Sequence, residues 1–252
     1  MRDIIKEKEE IMLITSDRSK TFRRLMAIRK RPKIEKKLLL EGEAMRRQLE
    51  DFCIPYTLYA KEGEEVDSEV FLRAELFDRL VSTVTPQPFL LVVDIPENKP
   101  FDEGAILVLD RIRDPGNLGT ILRSAAGFGI NNILSLKGSV SWTNTKVLRS
   151  SLGSILSLVI HEDGSQEDLM RIKKAGYRLI GADMYGEDVR TFSAPDKWAL
   201  MIGNEGEGLS KALEPLLDDK LSIPMKGEME SLNAAVAASI LLYCMTMNKE
   251  YK

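Results

Sequence analysis

Residues 222–247 read SIPMKGEMESLNAAVAASILLYCMTM. Leu221, Ser222 and Ile223 close an aliphatic run of the kind that forms a buried strand; Pro224 cannot continue a ladder, and Gly227 permits a turn. Ser231 or Asn233 can cap a helix beginning at the next residues, since a short side chain bearing an oxygen accepts the unpaired amides of a first helical turn. The last segment, 234–247, carries Val236, Ile240, Leu241, Leu242 and Met245 around nearly its whole circumference. A helix apolar on every side belongs between other elements or at a subunit interface, and this one is too short to span a membrane. The stretch therefore reads as strand, polar loop, buried helix.

Upstream of it the same alternation recurs. Aliphatic strands are expected over 105–109, 132–136, 157–160, 177–181, 199–202 and 220–223, with helices after Gly116 and over 146–152, 166–175 and 209–217. Strands without a polar face imply a parallel sheet covered on both sides, and ligands of such sheets collect at the carboxyl ends of the strands. Two polar, glycine-rich stretches fall at those ends. In DRIRDPGNLGTILRSAAGFG, from Asp110, Asp114-Pro115-Gly116 forms a turn, Asn117 is expected as the helix cap, and Arg123 lies in the second helical turn. Taken alone, this stretch demands no more than a capping turn. In GNEGEGLS, from Gly203, three glycines allow the backbone to approach a ligand and Glu205 sits at the mouth. Neither stretch is GxxxxGK[ST], nor GxGxxG in a first βα unit, so nucleoside triphosphate and nicotinamide readings lose support.

Before residue 96 lies a smaller α/β pattern, with strands expected over 38–40, 56–59 and 89–94 and helices over 44–51 and 70–80. It is preceded by a basic segment. Between residues 18 and 37 there are ten Lys and Arg against one acid, Glu35, and Phe22, Leu25 and Met26 give the segment an apolar helical stripe that Pro32 ends. A solvated helix face is the plain reading of a mixed charge run, but charge of nearly uniform sign is an electrostatic footprint for polyanions. PENKPFDEG, 96–104, reads as a linker, giving domains at 1–95 and 105–252.

Other features exclude function classes. His161 is the only histidine of 252 residues, which removes most histidine-dependent hydrolysis and metal catalysis; in HEDGS it reads as an exposed loop residue. Cys53 and Cys244 form no CxxC spacing, which points to a reducing cytoplasm and away from a structural zinc site. The net charge is −3, no apolar run reaches membrane length, and MRDIIKEKEE lacks the apolar core of a signal peptide.

The motifs carry more together than singly. NLGTILRSAAGFG at Asn117, IGNEGEGLS at Ile202 and IPMKGEMESLNAAVAASILLY at Ile223 stand in the order and spacing of the SpoU-type RNA ribose 2′-O-methyltransferases of the SPOUT superfamily, which the chain resembles over 105–247. LRSSLGS, with Arg149, Ser151 and Gly153, resembles a further segment of that family. The first ninety residues resemble the ribosomal-protein-like substrate-binding domain often fused ahead of it, through ITS at Ile14, the basic helix and the Glu41-Gly42 corner.

The resemblance implies an α/β fold with a doubly wound parallel sheet, a C-terminal part threaded into a deep trefoil knot, and a homodimer with active sites near the subunit interface. It implies S-adenosylmethionine as cofactor, held by Gly203, Ile223, Met225 and Leu232, and no metal. Asn117, Arg123, Glu205, Ser231 and Asn233 would form the catalytic group; Glu205 would fix that network or set loop geometry, and a position beside Arg123 would keep it ionised. Arg23, Arg24, Arg29 and Arg31 would contact a structured RNA, ribosomal RNA ahead of transfer RNA. A non-catalytic RNA-binding protein and a base-nitrogen methyltransferase on the same fold are the alternatives.

Overall fold

The computed structural model describes residues 11–82, 85–97, 99–227 and 231–247, so the first ten residues and 228–230 of the loop before the last helix lie outside the described residues. The chain divides into two compact units, Met1–Pro96 and Glu97–Lys252.

In the first unit the elements are β1 (Met12–Ile14), α1 (Lys20–Lys30), α2 (Pro32–Glu35), β2 (Lys37–Glu41), α3 (Glu43–Asp51), β3 (Tyr56–Lys61), β4 (Val70–Leu72), α4 (Ala74–Asp78) and β5 (Phe89–Asp94). They form a five-stranded sheet in the order β1-β4-β3-β5-β2. β4 runs parallel to both neighbours, whereas β5 is antiparallel to β3 and β2. The helix expected over 70–80 is thus a strand followed by a short helix: Val70, Phe71 and Leu72 pair with strands on both sides, and a short apolar run fits either period. α1 starts at Ser19, whose side chain accepts the Phe22 amide at 3.1 Å. It buries Phe22, Leu25 and Ile28 in a cluster with Leu39, Leu72, Phe77 and Leu90. Each such side chain contributes roughly 1.5–3 kcal/mol of burial, enough to hold a helix whose other face repels itself.

The second unit comprises β6 (Ile106–Leu109), α5 (Pro115–Gly127), β7 (Asn132–Leu136), α6 (Thr145–Ser150), β8 (Val159–Gly164), α7 (Gln166–Lys174), β9 (Arg178–Asp188), β10 (Trp198–Ile202), β11 (Asp219–Ser222) and α8 (Ala234–Met247). Its six strands are ordered β11-β9-β10-β6-β7-β8 and every pairing is parallel, as the aliphatic central strands β6 and β10 imply. β6 lies centrally; the chain goes outward through β7 and β8, then crosses to build β9, β10 and β11 on the other side. The crevice between the carboxyl ends of β6 and β10 is the switch point where such sheets bind ligands.

Three local expectations fail for identifiable reasons. Residues 209–217 do not form an α-helix; only Glu214–Leu216 makes a 3-10 turn. Pro215 would lack an amide donor in a helix interior, and Leu209 and Leu217 pack instead over Gly181, where an added Cβ would lie 2.8 and 2.7 Å from them. Asn117 does not cap α5: Pro115 takes the first helical position and Asp114 becomes the cap, its Oδ1 accepting the Asn117 amide at 2.8 Å. His161 is not in a loop but in edge strand β8, with its Nε2 2.7 Å from the Lys99 carbonyl oxygen and its ring stacked on Phe101 at 4.2 Å. Within 96–104, moreover, Asn132 bonds both the amide and the carbonyl of Asp102, at 3.0 and 2.9 Å.

α8 spans the residues expected of it. Asn233 caps it, its Oδ1 accepting the amides of Ala235 and Val236 at 2.9 and 3.3 Å. One face, with Ala235, Ala238, Leu241, Leu242 and Met245, is buried; it is not buried all round, because Val236 and Tyr243 are about half exposed. α5 packs against it through a 2.7 Å hydroxyl pair, Ser124 with Ser239, and an edge contact of Phe128 with Tyr243. On its other side α5 meets α6 so closely that a Cβ on Gly119 would lie 1.9 Å from Ser150 Oγ. That approach fixes the start of α5, where Asn117 sits.

Candidate active site

Three strand ends meet at the crevice. The segment after β6 leads into α5 with Asn117, the loop after β10 holds Glu205, and the segment after β11 ends at Asn233. Their side chains are hydrogen-bonded in series: Asn233 Nδ2 donates to Asn117 Oδ1 at 3.0 Å, and Asn117 Nδ2 donates to Glu205 Oε1 at 2.6 Å. The second Glu205 oxygen accepts from Asn204 Nδ2 at 3.2 Å. Polar residues as far as 116 positions apart in the chain are joined only because β6, β10 and β11 point the same way. Beneath them, the Asn117 amide holds the Asp114 carboxyl below its ordinary range.

Beside this series lies a cavity of about 690 Å³, a size common for small-molecule sites. Gly203, Ile223, Met225 and Leu232 all line it, as do Glu205 and Ser231. Sequence reasoning missed Leu209, Leu217, Leu241 and the β9 pair Asp183 and Met184, which also face it. The only hint of the last two was Asp183 directly after the aliphatic run Leu179 to Ala182. Asp183 is held below the ordinary carboxylate range by Lys220, 2.8 Å away, together with the Tyr185 amide.

The donor set suits S-adenosylmethionine. Apolar side chains can enclose an adenine, and only glycine fits at 203 on the cavity wall, because the loop folds back so closely there that a Cβ would fall 2.3 Å from the Gly208 carbonyl carbon. Among the described residues lining the cavity, Asp183, Glu205, Glu207 and Glu214 are acids and Lys220 is a cation paired with Asp183, a balance that favours a cationic sulfonium.

Arg123 stands apart. It is exposed on α5, six residues beyond Asn117 and so about 9 Å further along the axis. Its side chain makes no hydrogen bond or ion pair with the described residues, and the Glu205 carboxylate accepts from Asn117 and Asn204. Ser231 is exposed at the cavity rim. In the first unit, Arg23, Arg24 and Arg31 are exposed on and just after α1, whereas Arg29 donates to the Arg79 carbonyl and is partly buried.

A parallel α/β unit with a cavity at its switch point is placed to bind a ligand, and similarity to known proteins specifies its class. The description "SpoU rRNA Methylase family" matches residues 104–243. The 23S rRNA (guanosine(2553)-2'-O)-methyltransferase RlmP of Bacillus subtilis (strain 168) is 31% identical over 214 residues, covering 81% of this chain and 86% of the relative. The 23S rRNA (uridine(2479)-2'-O)-methyltransferase of Streptomyces viridochromogenes is 36% identical over 170 residues, covering 63% of this chain and 59% of the relative. A solved structure, the SpoU methyltransferase AviRb from Streptomyces viridochromogenes in complex with the cofactor AdoMet, superposes with a TM-score of 0.80 at 27% identity, covering 93% of this chain and 99% of that one. The chain belongs to the SpoU rRNA methylase family. It is an RNA methyltransferase that uses S-adenosylmethionine.

Proposed function

We propose that the protein methylates a ribose 2′-hydroxyl of ribosomal RNA. The observation that carries this reading is the hydrogen-bonded series of Asn233, Asn117 and Glu205 beside the apolar, acid-lined cavity. When bound, S-adenosylmethionine supplies an electrophilic methyl group that needs no metal. Gly203, Ile223, Met225 and Leu232 would hold it by backbone amides and apolar contact.

The difficult reactant is the hydroxyl, a weak nucleophile that must shed its proton as it attacks in line. The only histidine lies on the far edge strand, so the site works by placement and electrostatics. Asn117, clamped from both sides, and Ser231 and Asn233 orient the ribose. Glu205 fixes Asn117. Arg123, unpaired among the described residues, is available to grip the phosphate next to the target and stabilise the developing alkoxide. A guanidinium resists deprotonation, so its action is that of a fixed charge.

Residues 1–95 would serve as the RNA substrate-binding domain and 105–252 as the catalytic domain, in which the segments after β10 and β11 would form a trefoil knot. The exposed cations of α1, with Arg23, Arg24 and Arg31, support the first assignment; Arg29 contributes less because its guanidinium is occupied within the unit. The exposed Val236 and Tyr243 on α8 support a homodimer. Among the described residues no helix is long and apolar enough to cross a membrane. The protein would meet its ribosomal RNA in the cytoplasm.

The test is transfer of labelled methyl from S-adenosylmethionine to total RNA from cells lacking this protein, followed by nucleoside digestion and mass analysis. A 2′-O-methylated nucleoside mapped to one ribosomal site is expected. Label on a base, or none with cofactor still bound, would refute the assignment.

A further inference from the structure

The loop that carries Glu205 is tied down from outside. Asn204 and Gly208 bridge each other, their amides and carbonyls paired at 3.1 and 2.9 Å, and Asn204 Oδ1 accepts the Gly206 and Glu207 amides at 3.0 and 3.3 Å. These bonds shape the loop but do not place it. Placement comes from the second residue after β6. Arg111 sits there with φ 57°, a left-handed conformation that a side chain of its size rarely adopts.

The left-handed turn aims the guanidinium across the gap to the neighbouring strand end. Nη1 pairs with the Glu207 carboxylate, Nη2 donates to the Gly208 carbonyl at 3.1 Å, and Nε contacts Asp110 Oδ2 at 3.3 Å. The Arg111 carbonyl in turn accepts from Asn204 Nδ2 at 3.1 Å, and Asp110, 3% exposed, accepts the Ser210 amide at 2.7 Å. Both ends of the 203–208 segment are therefore fastened to Asp110 and Arg111. The Arg111 stem lies over Gly138, whose added Cβ would sit 3.3 Å from the Arg111 Cγ.

We propose that Arg111 is a positioning residue: its guanidinium holds the glycine-rich loop in the shape that both walls the cofactor cavity and delivers Glu205 to Asn117. The inference rests on reading the cavity as the S-adenosylmethionine site. Arginine is required, because a planar fork reaches a carboxylate, a carbonyl and a second carboxylate at once, whereas an ammonium on a flexible stem cannot. Partial burial opposes the charge, and Asp110 and Glu207 outweigh it, keeping the Arg111 pKa above its ordinary value.

The experiment uses the full chain with three variants, Arg111→Asn, Arg111→Lys and Glu207→Gln, and two readouts: S-adenosylmethionine affinity by calorimetry, and amide hydrogen exchange over 204–210 without cofactor. Asparagine tolerates the left-handed conformation, so Arg111→Asn removes the fork without adding backbone strain. It is expected to weaken S-adenosylmethionine binding about tenfold, corresponding to about 1.4 kcal/mol, and to speed loop exchange while β6 and β10 stay protected. Arg111→Lys should recover only part of both effects. Affinity and loop exchange within about twofold of wild type in Arg111→Asn would overturn the proposal, as would full recovery with lysine. If Arg111→Asn does not fold, Glu207→Gln must show a smaller change in the same direction, and no change there overturns it. A wild-type protein that binds S-adenosylmethionine but methylates no ribose would sink the functional reading and leave the loop result standing.

Discussion

The second unit holds two polar clusters, one at each side of its sheet. At the crevice, Asn117, Glu205 and Asn233 come from three separate strand ends and bond to one another beside a cavity of about 690 Å³. At the β8 edge, His161, Glu162, Asp168 and Arg171 line a hollow of about 270 Å³ with Phe101. The second contains the only histidine and on residue types alone looks the more reactive. Its groups, however, are used up locally. His161 serves the Lys99 carbonyl, Glu162 accepts the Trp142 amide, and Asp168 caps α7 through Ser165 and pairs with Arg171. We propose that chemistry sits where residues from distant segments converge and leave groups such as Arg123 and Ser231 unspent among the described residues, whereas polar groups that satisfy their own neighbourhood build structure.

The contrast is sharpest for Arg123. Arg123→Ala should abolish methyl transfer while leaving S-adenosylmethionine affinity within about threefold, since a surface guanidinium unpaired among the described residues contributes little to the fold. Loss of cofactor binding and folding together would make it a structural residue. Next in size is Gly119→Ala, which forces a methyl onto Ser150 Oγ and the Val147 carbonyl where α5 meets α6. Over-packing of this kind costs about 1–3 kcal/mol, visible as a lower denaturant midpoint, and activity should fall with it because the start of α5 must move.

In the first unit, neutralising Arg23, Arg24 and Arg31 should weaken RNA binding and flatten its salt dependence by about 0.7–0.9 logarithmic units for each phosphate no longer neutralised, while Arg29→Ala should lower stability instead. An unchanged slope would remove α1 from the RNA surface. The smallest effect belongs to the β8 side. The amide and hydroxyl of Ser165, with Arg171, hold the Asp168 carboxyl below its ordinary range. A depressed folded pKa contributes stability above the unfolded value, lost as pH falls through the folded one. Asp168→Asn should therefore be slightly less stable at neutral pH and lose less on acidification below about pH 4, with methyl transfer unchanged.

Much of this was readable from the chain. α8 follows from an unbroken apolar run behind a capping asparagine, and the parallel sheet from strands without a polar face. The rule that ligands gather at strand ends marked the polar stretches, but the grouping of Asn117, Glu205 and Asn233 came from the family resemblance. What escaped was set by tertiary context. Val70 to Leu72 is a strand because two neighbours pair with it, and His161 is in a strand because it continues the β7 pairing opposite Leu134. Arg111 gave no sign of its role, since nothing in DRIRDPG shows that the residue after the first aspartate turns left-handed toward a loop 96 residues later.

The most direct test of the two-cluster contrast is single-turnover methyl transfer by Asn117→Ala and His161→Ala, with S-adenosylmethionine affinity measured on the same samples. Asn117→Ala should be slower by about a hundredfold or more with cofactor still bound, the scale of removing one preorganised polar group, and His161→Ala should match wild type. A fully active Asn117→Ala, or a His161→Ala that binds cofactor but cannot transfer methyl, would contradict the assignment of chemistry to the crevice.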